Sequence, residues 1–344
     1  MKWDINKLKS KIKELEVRIS LVTDPIQKYS LIHDLTNLKD MVNYLSSEPI
    51  FSCDEYKYKI LDTDFAIDMA YFLQINGDRL QTLLLETSYL HHVPTKYRPN
   101  SSISLDEYDE LLKDFFANFN PKLYFLYQKY KNEARIEINT KRYQSVTCSG
   151  ECHYILSEKE AYLSSRHNNR LSTICILPHE LAHAEQFRTS DSIITSQNKS
   201  YSLLCEAYPI FIEYAFLEFL KQTKYSKYAY RKEGSKINNF LCALEYDLGC
   251  LKTSIISVRN KEVAASGYMQ NRYSNMLIMS NLVALYWLEL YRENPSELLK
   301  QLEEFNQKFG VEHFSSFFEN NNIKDITDGM HMSLRRYLKN YSKN

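Results

Sequence analysis

The segment His179-Glu-Leu-Ala-His183 places two imidazoles and a carboxylate at a spacing that suits metal-dependent hydrolysis. Residues at i and i+4 share one face of a helix, so both histidines can bind one zinc ion. Glu180 lies beside them, where it can take a proton from a water molecule. Apolar residues around the motif predict a buried helix, which Pro178 either opens or kinks just before the first histidine.

A catalytic zinc ion needs a third protein ligand, and Glu206 is the best candidate. The metzincin pattern is absent, because Ala184-Glu185-Gln186 follows the second histidine directly. Glu206 lies in a stretch that reads as an apolar helix, where metal coordination would offset the cost of burying a carboxylate. Glu213, two turns further on, could orient a ligand histidine. An ordinary salt bridge is the alternative for both glutamates.

These segments resemble the oligoendopeptidase F / thimet oligopeptidase family of zinc peptidases, in which a HExxH helix is followed by a helix bearing E-x-x-[S/P]-x-x-x-E. The likeness covers about residues 130–340. Residues 148–157 resemble the strand that borders the substrate cleft, and 267–274 resemble a tyrosine-rich helix start that faces the zinc. The site residues that the resemblance implies are the zinc ligands His179, His183 and Glu206, the general base Glu180 and the catalytic Tyr268.

The sequence departs from the family around that tyrosine. The family has a histidine shortly before it, where this chain has Val263-Ala-Ala-Ser266. Arg272 and Asn275 replace the tyrosines one and two turns later. Tyr273 and Arg272 are therefore alternatives to Tyr268 as the hydrogen-bond donor to the developing oxyanion.

The elements that must position these residues are predicted to be mainly helical. Two amphipathic segments within residues 5–50, separated by Thr23-Asp24-Pro25, predict an N-terminal helical hairpin. We expect this hairpin to pack on the main domain as an arm; a lid or a homodimer contact is the alternative. Its predicted apolar seam consists of Leu8, Ile12, Leu15, Ile19, Val22, Leu31, Leu35, Leu38, Val42 and Leu45. The predicted domains are the hairpin arm, 1–55, and a helical zinc metallopeptidase domain, 56–344.

One short region is predicted to be β-structure. Alternation at Arg135–Ile138 and β-prone residues at 152–156, with Ser149-Gly150 as a bend, predict a small antiparallel sheet beside the site. The basic, tyrosine-rich stretch from Lys221 to Lys236 predicts a solvated loop, with a docking patch for an acidic peptide as the alternative. Further helices are predicted over 172–188, 201–221, 237–258, 262–292, 296–309 and 328–341.

Composition restricts the class of protein. Seven glycines and eight prolines in 344 residues are too few for a protein rich in tight turns, so the fold class is mainly α. The 43 basic residues balance 43 acidic ones, which argues against a nucleic-acid partner. The seven cysteines show no paired framework, and no stretch is apolar and long enough to span a bilayer. The N-terminus also lacks the apolar core of a signal peptide, so we expect a cytoplasmic protein.

The sequence therefore predicts a zinc-dependent endopeptidase, with one Zn²⁺ per chain, that hydrolyses short or unfolded peptides. Glu180 would activate water, and the strand at 148–157 would bind the peptide backbone. A peptidase dedicated to trimming leader or precursor peptides is one alternative. A non-catalytic zinc-bearing peptide-binding protein is the other.

Overall fold

The structure is a computed structural model that describes residues 3–46, 102–139, 150–167, 171–190, 204–254, 272–308 and 323–341, together with residues 78, 81, 82, 85, 317 and 321. The described segments contain ten α-helices, three β-strands and one 3-10 helix, Leu171–Thr173. The predicted mainly α-helical class is confirmed. Met1–Tyr58 and Asn100–Ile193 form one compact unit, and Lys59–Pro99 and Ile194–Asn344 form a second.

The described part of the first unit contains five α-helices and a small sheet. Its elements are α1 (Ile5–Leu21), α2 (Pro25–Ser46), α3 (Leu105–Phe119), α4 (Pro121–Asn132), β1 (Ile136–Asn139), β2 (Gly150–Ile155), β3 (Glu160–Arg166) and α5 (Ile176–Thr189). Side chains of residues just before the helices fix several of these starts: Asp4 accepts hydrogen bonds from the first turn of α1, Ser104 from α3 and Asn120 from α4.

Helices α1 and α2 form the predicted hairpin, and all ten predicted seam residues lie in its apolar cluster. Pro25 opens α2, as expected for proline at a first helical position. The hairpin packs on the sheet: Trp3, Ile155 and Tyr162 belong to the same cluster. The Trp3 backbone N–H donates to Glu137 Oε2 at 2.7 Å, and its indole N–H donates to the Arg135 carbonyl at 3.2 Å. The predicted hairpin is confirmed, and it packs on the sheet. The division into a hairpin arm, 1–55, and a metallopeptidase domain, 56–344, stays a prediction.

The sheet differs from the predicted antiparallel arrangement. Its strand order is β1-β3-β2, with β3 parallel to β1 and antiparallel to β2. The prediction paired the first two strands and missed β3, whose residues 160–166 carry no clear alternation of polar and apolar types. Gly150 was also wrongly interpreted as a bend, because it is the first residue of β2. The sheet is therefore mixed, and β2 lies at one edge.

The second unit is entirely helical in its described part. Its helices are α6 (Ala207–Leu220), α7 (Ser226–Ser254), α8 (Arg272–Glu293), α9 (Pro295–Lys308) and α10 (Ile323–Tyr341). Helix α8 packs against α6 and α10, and Trp287 of α8 lies among the rings of Phe211, Phe305 and Phe317. No described helix combines the length and the apolar character needed to cross a bilayer.

The predicted solvated loop at 221–236 is wrong, because α7 begins at Ser226 and its first turns are packed. Tyr228 and Ala229 are buried. Lys221 forms ion pairs with Glu218 and Glu233, and Lys236 pairs with another glutamate of α6. Lysine stems can lie along apolar surface while the ammonium groups meet carboxylates, so this basic composition is compatible with a packed helix.

Candidate metal centre

Helix α5 carries the HELAH segment, and the chain just before this helix is anchored by a hydrogen bond. It begins at Ile176, so Pro178 occupies the third helical position, where an N–H has no partner within the helix. The proline therefore lies within the first turn, near the predicted helix start, where it costs no hydrogen bond within the helix. The Tyr108 hydroxyl donates to the Ile174 carbonyl at 2.8 Å and anchors the chain just before this helix. The Tyr108 ring stacks on buried His167 at 4.8 Å, and burial lowers the pKa of His167, which suits a neutral packing residue.

The two motif histidines are neighbours on one face of α5, as their spacing predicts. Their ring centroids are 4.9 Å apart, with an angle of 78° between the rings. The His183 ring also stacks on Phe187, at 5.8 Å and 13°. This contact restricts the orientation of the imidazole before any ligand binds.

His179, His183 and Glu206 form a group whose potential ligand atoms all lie within 4.8 Å of one another. It is a group that could hold a metal ion, and its members are two imidazole nitrogens and one carboxylate oxygen. His179 and Glu206 are half-buried.

Glu206 occupies a different position from the predicted one. The sequence places it inside a helix over 201–221, whereas α6 begins at Ala207 and Glu206 is the residue immediately before it. Its carbonyl accepts the N–H of Ile210 at 2.9 Å, and Pro209 occupies the third helical position, as Pro178 does in α5. A carboxylate at this position also lies near the positive end of the helix dipole.

Glu180 points toward the sheet, beside β2. It is buried, with 7% of its surface exposed. A Cβ atom added to Gly150 would lie 2.8 Å from Glu180 Oε1 and would clash with Ile176 Cγ2, so only glycine permits this approach of helix to strand. Burial, reinforced by the charge of Glu180, raises the pKa of Cys152, which keeps this thiol protonated.

Gly150 and Cys152 were not identified as site residues from the sequence. A glycine within a β-prone stretch is the signal that could have found Gly150, because such a glycine often marks a close backbone approach. Cys152 carries no comparable signal, since its nearness to Glu180 depends on how α5 lies across the sheet.

The remaining predicted residues have other surroundings. Glu213 forms an ion pair with Lys236, at 2.9 Å, and this lysine lies 5.3 Å from the centre of the Tyr214 ring. Glu213 therefore has the ion-pair partner that the salt-bridge alternative requires. Tyr268 lies outside the described residues, and α8 begins at Arg272. The catalytic role of Tyr268 stays a prediction.

Comparison with solved structures identifies the type of fold. The chain is similar to a Bacillus anthracis protein assigned as an oligoendopeptidase F, with a TM-score of 0.52 and 14% identity over 92% of this chain and 63% of that one. It is also similar to a Chlamydophila abortus protein assigned as a peptidase, with a TM-score of 0.57 and 11% identity over 90% of this chain and 61% of that one. A third similar structure is PZ peptidase A with an inhibitor, with a TM-score of 0.54 and 14% identity over 90% of this chain and 66% of that one.

The predicted resemblance to oligoendopeptidase F is therefore confirmed at the level of the fold. The chain spans less than two thirds of the length of each of these three structures. By sequence, it matches no protein-family model and no curated protein.

Proposed function

We propose that this chain is a zinc-dependent endopeptidase in which His179, His183 and Glu206 hold the metal and Glu180 is the general base. The observation that carries the proposal is the grouping of the three potential ligand atoms within 4.8 Å of one another. Glu180, which is buried, directly follows one of these ligands, His179, in the sequence. The fold of the similar structures, which include oligoendopeptidase F, supports the same class.

The donor set suits zinc. Atoms that bind a tetrahedral zinc ion at about 2.1 Å lie about 3.4 Å apart. In the observed group the potential ligand atoms lie within 4.8 Å of one another, so binding of zinc would draw them together toward that spacing. Three protein ligands leave one position open, which is the arrangement of catalytic rather than structural zinc sites.

The chain's own residues have separate tasks in this proposal. When bound, zinc supplies a Lewis acid that polarises the scissile carbonyl and makes water a nucleophile near neutral pH. Glu180 takes a proton from the attacking water on a carboxylate oxygen and passes it to the leaving amine. Tyr268, or Tyr273 or Arg272, is proposed to donate a hydrogen bond to the oxyanion.

The open edge of β2 is proposed to bind the substrate as an additional extended strand. A peptide must be unfolded over this segment to pair with the strand, so short or unstructured peptides are the proposed substrates. A reducing, cytoplasmic location is part of the proposal, because the seven cysteines show no paired framework in the sequence. A homodimer formed through the α1–α2 hairpin stays a prediction.

Cleavage mapping with the purified chain tests the proposal. A mixed peptide library is incubated with and without a chelator, the cuts are mapped by mass spectrometry, and zinc is measured by atomic emission. We expect about one zinc per chain and cleavage that the chelator abolishes and added zinc restores. Cuts across many peptides favour a general oligopeptidase, and cuts in one class of precursor favour dedicated processing.

Glu180→Gln separates catalysis from metal binding. We expect this variant to keep its zinc and lose activity by on the order of 10²–10⁴-fold, because an amide cannot accept the proton. Glu185→Gln is the matched control, since Glu185 is a buried carboxylate on the same helix. Zinc binding without cleavage of any peptide would contradict the proposal and favour a non-catalytic zinc protein.

A further inference from the structure

Among the described strands, β2 has a neighbour on one side only, and the backbone groups of its alternate residues point toward the other side, which we call the open edge. On the central strand, the N–H groups of Ala161 and Leu163 donate away from β2, to the Tyr130 hydroxyl and the Arg135 carbonyl. Their antiparallel partners Tyr154 and Cys152 belong to the same non-hydrogen-bonded pairs, so the backbone groups of these residues point away from β3. Gly150 continues the alternation. These residues could pair with an added strand.

Helix α2 already occupies one end of this edge. The Asn37 side chain donates from Nδ2 to the Tyr154 carbonyl at 3.0 Å. Three residues earlier, the Asp34 carboxylate accepts the N–H groups of Leu156 and Ser157 at 2.8 and 3.0 Å. These two side chains satisfy polar groups that an added strand would otherwise bind.

The other end of the edge lies beside the proposed general base. A Cβ atom added to Gly150 would lie 2.8 Å from Glu180 Oε1, so the proposed general base lies against this end of β2. Cys152 retains both an N–H and a carbonyl for pairing, because neither group has a hydrogen-bond partner among the described residues. An extended strand advances about 3.3 Å per residue, so Cys152 and Tyr154 are about 7 Å apart along the edge.

We propose that α2, through Asn37, limits the length of peptide that can lie on one side of the scissile bond; this inference rests on the proposed peptidase function. An antiparallel peptide has its N-terminal end toward Tyr154, where the carbonyl acceptor is taken. The N-terminal product is therefore limited to about three residues, the number that spans the edge from Cys152 to Tyr154. The enzyme cuts near the N-termini of its substrates, and α2 determines the distance.

A length series tests the limit in the wild-type protein. Peptides with one cleavable core are extended by one to eight residues at either end, and the cut positions are mapped by mass spectrometry. We expect cuts to follow the N-terminus, releasing fragments of about three residues or fewer, whatever the C-terminal length. Release of N-terminal fragments of five or more residues, or a limit on the C-terminal fragment instead, would overturn the proposal.

Backbone N-methylation tests which carbonyl is in use. Methylating the peptide nitrogen that donates to Cys152 should lower kcat/KM about fivefold, as expected for one lost hydrogen bond. Methylation two residues nearer the N-terminus, opposite Tyr154, should have no effect in the wild type, because Asn37 already holds that carbonyl. Equal losses at both positions in the wild type would contradict the proposal.

Asn37→Ala should make the second position sensitive to methylation and permit longer N-terminal fragments. Thr36→Ala is the matched control, because the neighbouring hydroxyl donates only within α2, to the Ile32 carbonyl. We expect this control to behave as the wild type. If Asn37→Ala does not fold, the two wild-type experiments still decide the question. If no peptide is cut under any condition, the proposed function fails rather than the length limit.

Discussion

At the scale of single residues, Glu206 and Glu213 have different surroundings although both are associated with α6. Glu206 belongs to the group that could hold a metal ion, whereas Glu213 forms an ion pair with Lys236. We expect Glu206→Ala to lose zinc and activity together, because two imidazoles leave the ion under-coordinated. Glu213→Ala should retain zinc. Atomic emission on both purified variants measures this, and full zinc occupancy in Glu206→Ala would refute the assignment.

The donor to the oxyanion is a second prediction at this scale. Tyr268 resembles the family's catalytic tyrosine, and a phenol can stabilise an oxyanion without adding a charge that competes with zinc. We expect Tyr268→Phe to lower kcat by about 10²-fold with little change in KM, as for a bond made only in the transition state. Steady-state kinetics measures both constants.

Tyr273→Phe serves as the comparison, since residues five apart would face different sides of a helix. A damaging Tyr273→Phe with a silent Tyr268→Phe would transfer the role to Tyr273. If neither matters, Arg272 is the remaining donor of the three.

The predictable part of the site is the part fixed by local spacing. Two histidines at i and i+4 meet on any helix, so their contact follows from the sequence. The approach of Glu180 to Gly150 does not, because it depends on how α5 lies across a sheet whose strands come from separate segments. The position of Glu206 immediately before a helix was also not predicted. The apolar residues on both sides of it favour helix, so the sequence places the helix start at residue 201 rather than at Ala207.

At the scale of elements, Gly150 determines how closely α5 can approach the sheet. An alanine there would place its Cβ in a clash with Ile176 and 2.8 Å from Glu180, so the helix must move. We expect Gly150→Ala to destabilise the fold by about 1–3 kcal/mol and to lower kcat by about 10²-fold, because the general base shifts with the helix. Thermal unfolding and steady-state kinetics measure the two effects.

Gly329→Ala provides the control for this prediction. Its added Cβ would lie 2.7 Å from Tyr286 Cδ2, a comparable clash between helices of the second unit. We expect a loss of stability without a comparable loss of kcat in the folded protein. Equal kinetic losses in both variants would show that the effect of Gly150→Ala is not specific to Glu180.

Elements whose apolar residues recur at a regular helical spacing could be predicted from the sequence, and elements without such a spacing could not. The α1–α2 hairpin follows from its apolar spacing, and Pro25 marks its second helix. Strand β3 exists because β1 and β2 supply hydrogen-bond partners on both sides, which is a tertiary effect that its own residues do not encode. The start of α7 was missed because lysines that form ion pairs in the folded protein look like solvated charges in a sequence.

At the scale of the whole molecule, a buried charge network joins four helices of the second unit. Arg292 of α8 pairs with Glu218 of α6, Glu233 of α7 and Glu289 of its own helix. Arg336 of α10 also pairs with Glu289. Burial raises the pKa of Glu218 and of Glu289, but the neighbouring cations outweigh it and hold both values below 4.5. Glu233 is the exception, since burial raises its pKa.

This network makes the stabilising effect of Arg292 dependent on pH. A carboxylate with a lowered pKa contributes stability above its ordinary value of 4.5, and this contribution is lost as the pH falls through the folded-state pKa. We expect Arg292→Met to lower the free energy of unfolding by about 3 kcal/mol at pH 7, because it leaves buried carboxylates unpaired. The loss should shrink as the pH falls from 7 to 4, because burial without the cation raises the pKa of these carboxyl groups and they are protonated first in the variant.

Urea unfolding followed by tryptophan fluorescence measures this difference, because the chain has only two tryptophans, Trp3 in the first unit and Trp287 in the second. In a Trp3→Phe background the signal comes from Trp287, which is buried beside Phe211 in the unit that contains the network. Arg335→Met is the control, since Arg335 is exposed and should change the free energy of unfolding by less than about 0.5 kcal/mol. A loss in Arg292→Met that is the same at pH 7 and pH 4 would mean that packing of the arginine stem, rather than its charge, stabilises these helices.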